Sequence, residues 1–155
     1  MISLYFFISF DLRYLVSAAM KATKHVAFLA MLTTSVTNQH QDIHFDDVKL
    51  NVGNAYNPNH GNFIAPYNGT YAFFVTACSR AGHYVVLDFH VNNQVYDRII
   101  VGEAPSFDAC NSKTNIVSLR ENDDVFLKHE IEGDVLRAYD PVGLPSFGGV
   151  FLFQE

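Results

Sequence analysis

The chain has 155 residues and a mass of 17.4 kDa, a size typical of one domain. Apolar residues make up 49% of the chain and charged residues 17%, a balance that excludes intrinsic disorder. The formal net charge is -6, and this sign argues against a protein that binds the phosphate backbone of nucleic acids. The 14 Phe and 8 Tyr residues favour β-strands over helices.

The sequence begins with a short apolar block that is followed by small residues. Residues 1–10 have the length of a signal-peptide core, and residues 17–19 suit a cleavage point. No Lys or Arg precedes the block, and Asp11 and Arg13 interrupt the apolar run. The block is shorter than the ~20 apolar residues that a transmembrane helix needs. We expect residues 1–24 to be a secretory leader and the protein to be extracellular; a mis-assigned start or a membrane-surface segment is the alternative.

From His25 onward, short apolar runs alternate with turn residues, and no helical period is sustained. We expect a polar loop over residues 103–113, a hairpin closed by Asn92 and Asn93, and a second hairpin closed by residues 121–124. Strands this short and this closely spaced predict a single all-β domain over residues 25–155, either a sandwich or a jelly roll. The predicted strands are residues 25–32, 42–52, 70–77, 84–91, 94–101, 116–119, 125–131, 135–139 and 147–153.

The run at residues 70–77 is apolar on both of its faces. Tyr71, Phe73 and Val75 share one face of a strand, and Ala72 and Phe74 share the other. A sandwich strand usually packs one face on the core and leaves the other in water. Because the sequence offers no helix as a cover, we expect another subunit to cover the outer face.

A set of spaced residues resembles the signature of the globular-head family of complement C1q. Residues 25–32, 122–127 and 146–153 are similar to the first strand, a late turn and strand, and the closing strand of that family. Val75 departs from the signature, which has an aromatic residue at that place, although Phe74 stands beside it. The resemblance runs in order over residues 25–155. The signature positions are Phe45, Asn51, Tyr56, Phe63, Gly69, Tyr71 and Phe73.

The resemblance implies a ten-stranded jelly roll, related in shape to tumour necrosis factor, that assembles as a homotrimer. It places the side chains of Ala72, Phe74 and Phe147 at the threefold axis. It places those of Phe63, Tyr71 and Phe73 in the core of the subunit. The sequence has no Gly-X-Y repeat and no heptad stalk, so it resembles the head-only secreted members of the family.

The head-only members are commonly pattern-recognition proteins that bind microbial carbohydrates or other charged surface molecules with their loops. Here the expected binding loops are residues 54–62, 80–83, 103–113 and 131–146. A secreted signalling or matrix ligand that engages a protein receptor is the alternative. The acidic net charge disfavours anionic polysaccharide as a general partner, which supports that alternative.

Metal-ligating residue types are crowded between residues 40 and 47. Two His four residues apart ligate zinc when a helix aligns them, but in a strand they would lie about 13 Å apart. We therefore expect a solvated strand edge here. The residues concerned are His40, Asp42, His44, Asp46 and Asp47.

A second acidic group, Glu121, Asp123 and Asp124, lies in a predicted turn. Calcium is a ligand of some heads in the family, but a calcium site needs six to eight oxygen atoms gathered from several loops. We therefore expect a polar turn and assign no cofactor.

Cys78 and Cys110 are the two cysteines of the chain. In an oxidising compartment they are expected to pair and to close a loop of about thirty residues. Both lie at predicted strand ends, where a link between the two layers is feasible. Two separate buried thiols are the alternative, which a cytosolic location would favour.

The sequence contains no G-x-S-x-G elbow, no phosphate-binding loop and no H-E-x-x-H motif, so we expect no enzymatic activity. Asn68, Gly69 and Thr70 form a glycosylation sequon. Gly69 and Thr70 also belong to the family motif at a strand entry, so the turn accounts for the sequon equally well.

Overall fold

A computed structural model describes residues 24–37, 40–102, 106–130, 135–141 and 143–154. Residues 1–23 lie outside this range, so the secretory leader stays a prediction. The described residues form strands and connecting segments without a helix. The strands are β1 (Ala27–Met31), β2 (Gln41–Asp42), β3 (Asp47–Val52), β4 (Tyr56–Asn57), β5 (Asn62–Ile64), β6 (Gly69–Ser79), β7 (Tyr84–Val91), β8 (Gln94–Gly102), β9 (Ala109–Leu119), β10 (Asp124–His129) and β11 (Ser146–Phe153).

The strands form two antiparallel sheets that enclose one core. The first sheet has the order β3-β1-β11-β6-β9. The second has the order β4-β5-β10-β7-β8, and β2 also pairs with β10. The predicted jelly roll is confirmed, and the short strands β2 and β4 bring the number of described strands to eleven, against the ten that the resemblance implies.

Aromatic rings from both sheets fill the space between them. Phe28 of β1 stacks on Tyr56 of β4, with ring centroids 4.9 Å apart, and meets the edge of Phe147 of β11 at the same distance. Phe73 of β6 packs on Phe89 of β7, with ring centroids 5.5 Å apart. Each such pair adds a directional ring contact to the burial of a large apolar area, so these rings join the two layers.

The second of the two consecutive glycines in the closing strand, Gly149, lies against the aromatic core. A Cβ atom at this position would lie 2.6 Å from the ring of Phe28 and 2.8 Å from the ring of Phe73. Glycine therefore leaves room for two core rings in the middle of β11.

Two of the predicted connections are wrong. β9 pairs with β6 in the first sheet and β10 pairs with β7 in the second, so the turn between them crosses from one sheet to the other instead of closing a hairpin. β9 also begins at Ala109, inside the predicted polar loop, and pairs with β6 along its whole length. Its residues 111–114 are polar because they are exposed on this strand.

Two of the predicted strands also differ from the structure. The run at residues 42–52 is divided between β2 of the second sheet and β3 of the first, with Ile43 and Phe45 buried in the core between them. Within residues 135–139, Leu136 forms an isolated bridge with Val36 in place of a regular strand.

The placement of Phe147 at a threefold axis is wrong. Its side chain is fully buried within the single chain and contacts the rings of Phe28, Phe73 and Phe89. The reason is the register of β11, which sets Phe147 opposite Val75, a residue on the inner face of β6.

The Cys78–Cys110 disulfide is confirmed, but it joins strands within one sheet and not the two layers. The two cysteines are directly opposite each other on β6 and β9, with Cα atoms 4.0 Å apart. This separation is inside the limit of about 7 Å for a disulfide.

Candidate functional site

The outer side of the first sheet carries apolar residues in two adjacent rows that cross the strands. Register places Leu50, Leu29 and Phe74 in one row across the sheet, and Val52 and Ile116 in the next row. Phe74 is 48% exposed and Ile116 is 62% exposed. We call these five residues the outer apolar face. A continuous exposed patch of this kind is typical of an interaction surface.

The structure places two of the three residues assigned to the threefold axis on this side of the sheet. Phe74 belongs to the outer apolar face, and Ala72 lies on the same side of β6 between Val150 and Ile116. Gly148 is opposite Phe74 on β11, so it adds no side chain beside the exposed ring.

Three of the four predicted binding loops meet at one end of the sandwich, around Asp108. Its carboxylate accepts a hydrogen bond from the Ala81 N–H at 2.9 Å and pairs with the Arg137 guanidinium. The Ala81 hydrogen bond and the Arg137 charge lower the pKa of Asp108, which therefore stays ionised. We call residues 80–83, 106–108 and 135–141 of these loops the loop cluster.

The disulfide lies at the base of the loop cluster. The Arg137 N–H donates to the carbonyl oxygen of Cys78 at 2.9 Å, and Gly143 packs against the sulfur of Cys110. The aromatic side chains of Phe107 and Tyr139 are exposed here, and Phe107 is 67% exposed. The cluster therefore presents exposed rings on a cross-linked frame.

The fourth predicted loop, residues 54–62, lies elsewhere, at the edge of the second sheet, and includes β4 and the start of β5. The Asn51 side chain exchanges two hydrogen bonds with the Tyr56 backbone, at 2.8 and 3.2 Å. The Tyr56 hydroxyl accepts from the Phe45 N–H and donates to the Phe45 carbonyl, and burial raises its pKa. These three signature residues hold the strands together inside the domain.

The remaining signature residues also lie in or beside the core. Phe63, Tyr71 and Phe73 are buried, and the Tyr71 hydroxyl donates to the Tyr67 carbonyl at 2.8 Å. Gly69 begins β6 with a φ of 151°, and a Cβ there would lie 2.4 Å from the Phe153 carbonyl oxygen.

Three of the crowded residues between 40 and 47 have separate partners. Asp46 accepts from the Thr33 backbone N–H and hydroxyl, and Asp47 pairs with Lys49. Burial raises the pKa of Asp46, but the Thr33 hydrogen bonds outweigh this effect and the net change is downward. His40 contacts Glu130 with 3.0 Å between Nδ1 and Oε2. These contacts agree with the expected strand edge.

The acidic turn at residues 121–124 uses its polar groups to hold the turn. Asp123 accepts from the Arg120 N–H at 2.7 Å and from the Asn92 side chain at 3.1 Å. The Glu121 N–H donates to the Asn68 side-chain oxygen at 2.7 Å. Asn68 is exposed, and its glycosylation stays a prediction.

The outer side of the second sheet carries an acidic and histidine group that sequence reasoning missed. Asp88 and His90 lie on β7, and Glu130 follows β10. One ligand atom of each lies within 4.8 Å of the others. The sequence does contain a pattern that indicates this group. Asp88 and His90 alternate with Leu87 and Phe89, so two polar residues lie on one face of an otherwise apolar strand.

Two facing antiparallel sheets around one aromatic core define a jelly-roll domain. A family model described as the C1q domain matches residues 27–151. The chain belongs to the C1q domain family, as the sequence predicted.

Proteins of known sequence place the chain in the same family. The heavy metal-binding protein HIP of Mytilus edulis is 36% identical over 114 residues, which are 70% of this chain and 53% of that protein. Complement C1q tumor necrosis factor-related protein 3 of Mus musculus is 29% identical over 135 residues, 83% of this chain and 52% of that protein. The chain thus spans about half the length of the curated relatives it matches.

Solved structures share the fold at low sequence identity. The globular domain of zebrafish complement 1qA protein has a TM-score of 0.68 and 15% identity, with 84% of this chain and 99% of that chain covered. Murine APRIL has a TM-score of 0.63 and 14% identity, with 83% of this chain and 100% of that chain covered.

Domains of this group are generally non-enzymatic, bind ligands and form trimers, and proteins with a C1q domain are mostly secreted. Within the described residues, no helix is both long enough and apolar enough to cross a membrane.

Proposed function

We propose that this chain is a non-enzymatic recognition module of an extracellular protein, which assembles as a homotrimer and binds its ligand with the loop cluster. The outer apolar face supports the assembly, because removing exposed rings such as Phe74 from water lowers the free energy of the associated chains. Family membership supports the non-enzymatic role.

The loop cluster is the structural feature on which the proposed binding function rests. Asp108 ties the backbone of one loop to Arg137 of another, so the cluster is ordered before a ligand arrives and loses less entropy on binding. Exposed aromatic and arginine side chains dominate many recognition sites, and the cluster exposes Phe107, Tyr139 and Arg80. Flat rings beside guanidinium groups suit sugar rings that carry carboxylate or phosphate, which are typical of microbial surfaces.

A glycan and lipopolysaccharide array, set beside a cell-surface receptor screen, tests this proposal. The full chain is compared with Phe107→Ala and with the matched control Phe153→Ala, which removes an exposed ring at the opposite end of the sandwich. We expect Phe107→Ala to weaken glycan binding at least tenfold and Phe153→Ala to leave it unchanged. Equal loss in both variants, or no bound glycan at all, contradicts the proposal.

Recognition of a protein receptor is the alternative for the same module. The likeness in fold to murine APRIL and the net charge of -6, which opposes binding to anionic polysaccharide, favour it. Binding in the receptor screen together with a silent glycan array would select this alternative.

We propose metal binding as a second candidate function. The mussel relative that is 36% identical to this chain is described as a heavy metal-binding protein. Within the described part of this chain, Asp88, His90 and Glu130 bring metal-ligating groups together. Equilibrium dialysis of the full chain against zinc chloride, read as metal per chain, tests this function, and a chain that retains no zinc contradicts it.

A further inference from the structure

Asp88, His90 and Glu130 come together because of the pairing of β7 with β10. Asp88 and His90 are two residues apart on β7, so both side chains point away from the core that Leu87 and Phe89 fill. The Glu130 N–H donates to the Val86 carbonyl, which continues the pairing beyond β10 and sets the Glu130 side chain beside that of Asp88. One ligand atom of each residue lies within 4.8 Å of the other two.

His90 is the residue whose environment calls for a ligand. Its side chain is on the outer side of the sheet, yet the residue is only 7% exposed. Its ring stacks on Phe126, with centroids 4.8 Å apart and an angle of 11° between the planes. Both ring nitrogen atoms are buried and have no hydrogen-bond partner. A buried polar group without a partner is costly, and a bound ion is one of the few arrangements that accounts for it.

The two carboxylates already have outer partners that fix their positions. Asp88 is 1% exposed and accepts two parallel hydrogen bonds from Arg98, at 2.6 and 2.9 Å. Glu130 contacts His40 at 3.0 Å. These two pairs explain why the carboxylates are where they are, but they leave His90 unexplained. Each carboxylate oxygen retains a second lone pair, so it can bind a metal while an outer residue orients it.

We propose that Asp88, His90 and Glu130 form a binding site for one divalent transition metal ion, with zinc as the best match. This inference rests on the second candidate function, metal binding, and gives it a location. One imidazole nitrogen and two carboxylate oxygens suit zinc, whereas calcium takes six to eight oxygen ligands. Arg98 and His40 act as positioning residues that hold the two carboxylates.

The geometry needs only a small adjustment to accept the ion. Two ligands of a tetrahedral zinc ion lie about 3.3 Å apart, which follows from metal–ligand distances of about 2.0–2.1 Å. The largest separation here is 4.8 Å, so the ligand atoms must approach by at most about 1.5 Å. Rotation of the partly exposed Glu130 side chain supplies movement of that size, while Asp88 and His90 stay in place. The fourth position is left for water or an exogenous ligand.

Isothermal titration of the full chain with zinc chloride, repeated with cobalt chloride and read by visible absorption, tests the site. His90→Phe keeps the size of the ring and its stacking on Phe126 but removes the ligand nitrogen, and Glu130→Gln removes one carboxylate. The controls are His60→Gln, in an exposed loop, and His44→Gln, in the strand edge between residues 40 and 47. We expect one zinc ion per chain, at least tenfold weaker binding in both site variants, and unchanged binding in both controls.

The outcomes separate the site from the function on which it rests. No zinc binding by the wild-type chain overturns both. Zinc binding that survives His90→Phe and Glu130→Gln overturns this site and leaves metal binding elsewhere on the chain. Should His90→Phe fail to fold, as judged by circular dichroism, Glu130→Gln decides alone. Visible cobalt bands that are the same in the wild-type chain and in His90→Phe also overturn the site.

Discussion

At the scale of single residues, two aspartates have pKa values shifted in opposite directions. Burial raises the pKa of Asp124 above 3.8, and nearby Asp42 adds to the shift, while the Asn62 side chain opposes it. Burial also acts on Asp97, but the hydrogen bond from Lys113 at 2.7 Å outweighs it and lowers the pKa. The charged form is therefore disfavoured by folding at Asp124 and favoured at Asp97.

Replacement of these carboxylates is expected to change stability with opposite signs. Because the pKa of Asp124 is raised on folding, the folded state favours its protonated form. The resulting stabilisation is fully present below pH 3.8 and is lost as the pH rises through the raised pKa. Asp124→Asn should therefore raise the melting temperature at pH 7 by no more than a few degrees, and less at lower pH. Asp97→Asn should lower it at pH 7. Thermal unfolding followed by circular dichroism checks both, and a lower melting temperature for Asp124→Asn at pH 7 would refute the first expectation.

The two consecutive glycines of β11 are expected to differ in their tolerance of a side chain. A Cβ at Gly149 would lie within 3 Å of two core rings, whereas at Gly148 the closest atom, the Phe28 carbonyl oxygen, is 3.1 Å away. We expect Gly149→Ala to reduce the free energy of unfolding by about 2–3 kcal/mol, and Gly148→Ala by less than about 1 kcal/mol. Urea denaturation measures both values. Similar values for the two variants would show that the rings of Phe28 and Phe73 move aside.

The side that a residue faces could be predicted within a strand but not between strands. The alternation of Tyr71 and Phe73 with Ala72 and Phe74 correctly separates the inner and outer sides of β6. Phe147 was not predictable in the same way, because β11 is apolar on both sides and only its register with β6 decides which side faces the core. The environment of His90 was not predictable either, because it is formed by Phe126 and Glu130, which are distant from His90 in sequence.

At the scale of strands, the disulfide fixes the end of the β6–β9 pair beneath the loop cluster. The bond closes a chain segment with a sequence separation of 32, and the chain-entropy model assigns about 3–4 kcal/mol to such a link. Cys110→Ser should therefore lower the free energy of unfolding by about that amount. Urea denaturation with and without a reducing agent measures it. The reducing agent should destabilise the wild type and leave Cys110→Ser unaffected; a wild type indifferent to reduction would contradict the prediction.

Strand pairing was the part of the fold that the sequence predicted least well. The polar turn at residues 121–124 marks a change of direction, but hairpins and crossings between sheets use the same turn residues. β9 was hidden for a related reason, since its residues 111–114 are polar on both sides and carry no alternation. Both errors concern long-range pairing, for which local sequence pattern has little information.

At the scale of the whole molecule, the outer apolar face reaches from one edge of the first sheet to the other and is left uncovered by the single chain. Phe74 and Ile116 lie near one edge of this face and Leu50 and Val52 near the other. The outer side of the other sheet is mixed, with Arg98 and Lys128 beside exposed Ile100 and Tyr84. The first sheet differs in that one outer row, from Val52 to Ile116, is apolar from edge to edge, and this row supports assembly through the first sheet.

Replacement of Phe74 tests that assembly. If copies of the chain meet at this face, Phe74→Asp would bury one carboxylate per subunit in an apolar interface, at a cost of several kcal/mol or more per assembly. We expect the wild type to scatter light at micromolar concentration with three times the chain mass of 17.4 kDa, less any residues removed from its N-terminus, and Phe74→Asp to scatter as a monomer. Phe107→Asp, which makes the same change at an exposed ring in the loop cluster, should remain trimeric. A monomeric wild type, or a trimeric Phe74→Asp, would exclude assembly through the outer apolar face.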